Sequence, residues 1–417
     1  MNKDTFCPMP FCHTNVKQEG KVSACWRYPD RVGDYTTETI VEIWNGERMK
    51  TLRQQLLNGE RPAGCRSCWD MEDSGVRSTR QQTTEDYSKI TNFETVAATI
   101  NEDYSMPLSS LKSIEVRFDN ICNLMCRHCS PDYSSVWEIA VKRDEKLNQK
   151  MIQLGTFRKQ EDHVRLTDNV ITEIGQVISP NLVELMIAGG EPLYHDKHYK
   201  FIESLLPNAD KIMLSYNSNL TTLEYKGKNI LDLWKNFRKV LLRVSIDGDR
   251  HCYQYVRVHN DLEKVEKHIA LAIELANTKV NATCTTSLLN ITRLTSIVEY
   301  YLSLGAYFHT SIVQYPRALN PKLLPQVLKD KVTAEWKEWK SNIDDNIVKH
   351  LKQTRNNDLE QHKRSILKFG NQVVDYMNSS DWHKHWPEFV DYTNTLDSHL
   401  KTNILDVYPE FTEYFKQ

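Results

Sequence analysis

Three cysteines on one short loop, Cys122, Cys126 and Cys129, have the spacing best suited to chemistry in this chain. Thiolates at Cys-x3-Cys-x2-Cys can converge on three irons of a cubane cluster. The fourth iron is then left without a protein ligand, and an open position on a metal is where a substrate or cofactor binds. The alternative at this loop is a structural zinc site that borrows its fourth ligand from His128 or elsewhere. A second set lies upstream, Cys7-x17-Cys25 followed by Cys65-x2-Cys68, with Cys12 competing with Cys7 for a place in it. Eight of the ten cysteines fall in the first 129 residues. The N-terminus lacks the basic and apolar regions of a secretion signal, so such clustering reads as metal ligation before disulfides. Cys252 and Cys284 read as buried thiols.

Composition narrows the partners. Lysine and arginine total 53 against 55 aspartate and glutamate, a net charge of −2. That balance argues against electrostatic binding to nucleic acid. No apolar run approaches the roughly 18–20 residues of a membrane helix, so the expected location is the cytoplasm.

The elements that position these cysteines follow from periodicity. Thr14–Gln18 and Lys21–Cys25 read as a hairpin turning at Gly20, and Thr39–Leu57 as a helix. Residues 79–110 are polar and weakly patterned and read as a linker. From residue 111 the rhythm changes. Strand-like runs recur at Ser113–Phe118, Val183–Ala188, Lys211–Tyr216, Val240–Ile246, Val280–Thr285 and Tyr307–Val313. Helix-like stretches such as Leu262–Ala276 and Ile291–Leu304 separate them, and residues 136–175 read as a helical insertion. Alternating strands and helices call for a mostly parallel sheet. Six strands are too few for a closed eight-stranded barrel, so the expected fold is α/β, an open partial (β/α)6 barrel. The tail from 318, with stretches such as Val332–Leu351 and Leu359–Met377, reads as a helical C-terminal cap.

The motifs after successive strands resemble the radical S-adenosylmethionine (SAM) superfamily over residues 113 to about 315. In that family the three cysteines hold a 4Fe–4S cluster whose open iron chelates the amino and carboxylate groups of SAM. Ala188-Gly189-Gly190-Glu191-Pro192 looks like the family's Gly-Gly-Glu-Pro motif, where the carboxylate accepts from the cofactor's ammonium. Asn217-Ser218-Asn219 looks like the polar turn near the cofactor. Ser245-Ile246-Asp247-Gly248 resembles the Ser-x-Asp-Gly strand end, suited to the ribose or methionyl group, and Tyr255 and Arg257 continue the pattern. The residue before the third cysteine is often aromatic and packs on the adenine; here it is His128. His13, His195 and His198 read as surface or core histidines before ligands or proton carriers.

The upstream set is similar to the auxiliary-cluster domain called SPASM, or twitch in its shorter form. The resemblance implies one auxiliary 4Fe–4S cluster held by Cys7, Cys25, Cys65 and Cys68, the Gly20 interval favouring Cys7 over Cys12. The domain stands before the barrel, whereas it usually follows it. The expected organisation is a small α+β twitch-like domain at 1–85, a linker at 86–110, the barrel at 111–317 and the cap at 318–417. The resemblance implies an enzyme that generates a 5′-deoxyadenosyl radical from SAM and abstracts a substrate hydrogen atom. Its precedent points to oxidative modification of a peptide or protein. A small-molecule alcohol or sugar dehydrogenase is the alternative among enzymes, and a non-catalytic zinc-binding interaction module the alternative outside them. An external flavodoxin- or ferredoxin-like electron donor is expected, and neither membrane nor nucleic acid.

Overall fold

The computed structural model describes every residue except 74, 76, 158–165, 355–357 and 417. In chain order the strands that carry the site are β1 (His13–Val16), β2 (Lys21–Ser23), β3 (Gly33–Asp34), β4 (Ser113–Arg117), β5 (Met125–Cys126), β6 (Glu184–Ala188), β7 (Met213–Ser218), β8 (Lys239–Ser245), β9 (Arg257–Val258), β10 (Thr278–Thr286) and β11 (Tyr307–Ile312). The chain divides into two compact units. The first comprises Met1–Asp119, Asp162–Tyr216 and Asp232–Val240; the second comprises Asn120–Glu161, Asn217–Leu231 and Leu241–Gln417.

In the first unit β4, β6 and β7 pair in parallel, with Ser113 opposite Glu184 and Glu184 opposite Met213. Ile114, Val116, Leu185, Ile187, Leu214 and Tyr216 therefore share one face, and all are buried. Period-two alternation of branched apolar residues is what fixes this register. The hairpin expected near Gly20 is present, with β1 antiparallel to β2. Its first strand has a second partner. β1 also pairs in parallel with β4, His13 to Val16 lying opposite Ser113 to Val116. Glu173 joins the same unit together, its two carboxylate oxygens accepting from the Ile40 and Val41 N–H groups at 2.9 and 2.8 Å. These are orphan donors of a helix start, where a carboxylate is favoured.

In the second unit β10 and β11 pair in parallel, Asn281 opposite Tyr307 and Thr286 opposite Ile312. Val280, Ala282 and Cys284 are fully buried, while Lys279, Asn281, Thr283 and Thr285 on the other face of β10 are half-buried. β8 alternates in the same way, with Val240, Leu242 and Val244 buried.

Three helical expectations change. The stretch Thr39–Leu57 is two helices, Ile40–Trp44 and Glu47–Leu57. Asn45 breaks it, because its side chain leaves the helix to donate to the Met106 carbonyl and accept from the Met106 N–H, both at 2.9 Å. Gly46 then starts the second helix from an extended conformation. The stretch 79–110 contains helices Thr79–Asp86 and Phe93–Thr99. Each buries a single side chain, Thr83 or Val96, so no apolar stripe announces them. Their caps do. Ser78 and Gln81 form a reciprocal capping box, and Asn92 accepts from the Thr95 N–H. In the tail, Val332–Leu351 is broken at Asn342 into Gln326–Ser341 and Ile343–His350. Helices Leu359–Asn378 and Trp386–Leu400 follow. The insertion contains helices Ser135–Arg143, Glu145–Gln153 and Asp168–Glu173, and its residues 158–165 lie outside the described residues.

Candidate functional site

In the first unit Cys7 precedes the short helix Met9–Cys12 and Cys25 lies two residues past β2. Cys65 closes the turn Ala63–Cys65, and Cys68 lies in the first turn of helix Arg66–Asp73. The four line one cavity of about 400 Å³ together with Met9, Trp26, Tyr28 and Arg80. Cys12 does not line it; it is fully buried elsewhere, its thiol pushed up by burial and then by Glu184. The turn before Cys65 needs glycine, since a Cβ at Gly64 would stand 2.4 Å from the Tyr28 ring. Arg80 holds two parts of the site together. It pairs with Glu72 on the Cys68 helix at 2.5 Å and donates to the Phe6 carbonyl beside Cys7 at 2.7 Å. Burial first, and the neighbouring thiols second, raise these sulfurs: Cys7 well above the usual thiol, Cys65 to about 12. Burial likewise raises Cys25 to about 11, against two backbone N–H donors. Thiols so placed ionise readily only around a cation, and four of them lining one cavity suit a metal centre.

The Gly-Gly-Glu turn follows β6 in the same unit. Gly189 has φ +83° and packs on Arg117, where an added Cβ would meet the Arg117 Cβ at 2.9 Å. Gly190 also has a positive φ of 55°. Glu191 is buried and caps the turn Pro192–Tyr194, accepting from the Leu193 N–H at 3.1 Å. Nearby His195 caps helix Asp196–Ser204. Its Nδ1 accepts from the Lys197 N–H at 2.9 Å, so the proton sits on Nε2 and is donated to Asp119 at 2.6 Å. His198 and His13 lie in the core, bonded to Tyr216 and Ser113 and held neutral by burial, each lowered to about 3.

The triple-cysteine loop belongs to the second unit. Asn120 starts it, donating to the Pro131 carbonyl at 2.9 Å and to Glu138 at 2.7 Å. Ser135 closes on both the N–H and the carbonyl of Cys122, at 3.2 and 3.1 Å. Cys126 lies on β5, opposite Arg257 of β9, and its carbonyl accepts from the Trp137 indole at 2.9 Å. The sulfurs have donors of their own. Arg257 Nη1 is 3.5 Å from the Cys126 Sγ and Asn219 Nδ2 is 3.9 Å from the Cys122 Sγ. Burial raises the Cys129 thiol, and Cys126 and Cys122 raise it further. Donors aimed at two of the three sulfurs on this loop fit thiolate ligands of a cluster.

Other residues picked out by sequence have structural partners here. Asn219 also donates to Asn123 at 3.0 Å and accepts from Thr221. Asp247, fully buried at φ +56°, pairs with Arg257 at 2.5 Å and with His128 at 3.2 Å. Burial would raise its carboxyl, but Arg257 and His128 outweigh burial and hold it well below the usual carboxylate range. Ser245 is half-buried at the end of β8, and Asn217 is half-buried on β7. Arg80, Arg257's bond to sulfur and Arg127 were not singled out from the sequence. The Phe6, Cys126 and Asp397 partners of these three arginines are remote in the chain, so spacing gives no signal.

Residues 116–292 match the Radical SAM superfamily and residues 7–69 match SPASM, an iron–sulfur cluster-binding domain. The chain thus contains a Radical SAM domain, with a SPASM domain ahead of it. Among solved structures it is similar to Streptococcus suis SuiB bound to S-adenosylmethionine, with 12% identity, TM-score 0.36, and coverage of 70% of this chain and 60% of that one. SuiB bound to precursor peptide SuiA gives 12%, 0.36, 71% and 62%. The chain thus spans about three fifths of the length of those structures. No curated protein matches. The family's cofactors are a 4Fe–4S cluster with S-adenosylmethionine, and the SPASM domain adds auxiliary iron–sulfur chemistry. No helix among the described residues is long and apolar enough to cross a membrane.

Proposed function

We propose that this protein is a radical SAM enzyme that abstracts a hydrogen atom from a peptide or protein substrate, with its auxiliary cluster accepting an electron. When bound, the barrel cluster and S-adenosylmethionine supply a 5′-deoxyadenosyl radical by one-electron reductive cleavage. Cys122, Cys126 and Cys129 would hold that cluster, with Arg257 and Asn219 donating to two of the sulfurs. Glu191 would take the cofactor's ammonium, and Cys7, Cys25, Cys65 and Cys68 would hold the auxiliary cluster.

The observation that carries the reading is the three-cysteine loop with hydrogen-bond donors trained on its sulfurs. One feature of the first unit favours electron acceptance over direct substrate binding at the auxiliary site. Four thiols around one cavity leave no iron open. A polar substrate suits the half-buried face of β10, which presents Lys279, Asn281, Thr283 and Thr285.

Anaerobically reconstituted protein is expected to hold about eight irons per chain, from two cubanes. Once reduced, it should release 5′-deoxyadenosine from S-adenosylmethionine slowly without substrate. A colourless protein that binds zinc at both sets would sink the reading.

A further inference from the structure

The tail gave no chemical signal in sequence, yet one of its side chains reaches the cluster loop. Arg127, between the second and third cysteines, is fully buried. Its guanidinium donates to Asp397 of helix Trp386–Leu400 at 2.6 Å, to the Thr402 hydroxyl, and to the Tyr255 carbonyl at 2.7 Å. It also lies over the Tyr255 ring, 3.7 Å from the centroid. Asp397 is saturated in turn. It accepts from the Tyr255 hydroxyl at 3.1 Å, the Thr402 hydroxyl at 2.7 Å and the Ile404 N–H at 2.7 Å. From the same helix, the Tyr392 hydroxyl donates to the Arg127 carbonyl. On its other side the loop is held by the residue just ahead of β9, where the Arg127 N–H donates to the Val256 carbonyl at 2.9 Å.

Both peptide groups and the side chain of Arg127 are therefore fixed, and the residue sits between two ligand cysteines. The side chain is directed to the tail while Cys126 on the preceding position meets Arg257. A buried ion pair is a poor source of net stability, because desolvation offsets the attraction. It is a good source of fixed orientation, and groups behind a metal site orient its ligands.

We propose that Asp397 is a positioning residue for the barrel cluster, fixing the Cys126-Arg127-His128-Cys129 segment through Arg127, and that Tyr392 assists through the Arg127 carbonyl. The proposal rests on the reading of Cys122, Cys126 and Cys129 as cluster ligands. The C-terminal helix then belongs to the cofactor site rather than to a separate cover.

The test isolates each cluster in the full chain. In a Cys65→Ala, Cys68→Ala background only the barrel cluster remains, and Asp397→Asn keeps the shape of residue 397 while removing its charge. Iron release to a chelator should accelerate about 10- to 100-fold, the usual cost of losing a partner behind a metal site. The cluster's electron paramagnetic resonance spectrum, and its change on adding S-adenosylmethionine, should shift as well. Tyr392→Phe, which removes one hydroxyl from a retained ring, should move both readouts in the same direction by less. In a Cys122→Ala, Cys126→Ala, Cys129→Ala background, Asp397→Asn should leave the auxiliary cluster's iron release unchanged. Unaltered spectra and release from the barrel cluster in both variants would overturn the proposal. So would equal acceleration at both clusters, the mark of a general folding role. Parent protein that binds no iron on the Cys122 loop would overturn the cluster reading itself, an outcome distinct from a normal cluster in both parent and variant.

Discussion

Glu191 has two jobs to separate, capping a turn and carrying a negative charge. Its Oε1 accepts from the Leu193 N–H at 3.1 Å in a site that is 2% exposed. Glutamine can keep that bond, since its amide oxygen is also an acceptor, but it has no charge. A hydrogen bond to a charged group contributes about 1.5–3 kcal/mol and a neutral one about 1, so Glu191→Gln should weaken cofactor binding by about 0.5–2 kcal/mol. That corresponds to a roughly 2- to 30-fold rise in the dissociation constant. Glu191→Ala loses both jobs. It should weaken binding at least as much and also cost about 1 kcal/mol of stability from the missing cap. The assay is a titration of reduced, cluster-loaded protein with S-adenosylmethionine, followed by electron paramagnetic resonance, beside melting of each variant. The refuting result is specific. If Glu191→Gln binds the cofactor as the parent does, while Glu191→Ala loses affinity and melting temperature together, the residue is a cap and the ammonium is held elsewhere.

The remaining predictions concern ligands and buried charge. Cys7→Ala should lower iron from about eight toward about four per chain, whereas Cys12→Ala, which removes a packed thiol, should leave iron unchanged; measured iron and protein check this, and the reverse pattern would exchange the two roles. Cys65→Ala with Cys68→Ala should spare the barrel cluster and still release 5′-deoxyadenosine, with deuterium passing from labelled substrate into it without product. Product at the normal rate would demote the auxiliary site to a structural one. Asp247→Asn strands the Arg257 guanidinium in the interior and should cost about 3–5 kcal/mol of stability, the penalty of a buried unpaired charge. Chemical denaturation measures it, and a loss below about 1 kcal/mol would show that Arg257 finds another partner or water.

The sequence discloses what is local. The cysteine spacings, the alternation in Ser113–Phe118 and Val183–Ala188, and the glycines at 189 and 190 each act within a few residues, and strands or turns appear at those places. What it conceals is long-range. Nothing near Asp397 marks it as the partner of Arg127, which lies 270 positions away. The helices Thr79–Asp86 and Phe93–Thr99 pass for linker because each buries one side chain; their capping residues were the available signal. Asp247 shows a subtler limit. A carboxylate in a Ser-x-Asp-Gly strand end reads as a cofactor contact, and spacing gives no hint that it also pairs with Arg257 and His128 in the interior.

The early position of the SPASM domain has a topological explanation in β1. Parallel strands cannot be joined by a tight turn, so the chain between β1 and its neighbour β4 must make a long crossing. That crossing contains β2, β3 and the helices that follow, and with them Cys25, Cys65 and Cys68; Cys7 stands just ahead of β1. Three of the four cysteines that line the cavity thus lie within one parallel crossover, which is tied at both ends to the same sheet. Placing the domain first does not require a separate docking surface, because backbone hydrogen bonds from His13 to Val16 make the attachment. The same pairing covers the edge that β4 would otherwise expose, which is a recognised liability of open sheets. Register does the rest. A shift of one residue between β1 and β4 would turn Val16 out of the apolar layer that holds Ile114 and Val116, so the hydrophobic face sets where along the sheet Cys25 must stand.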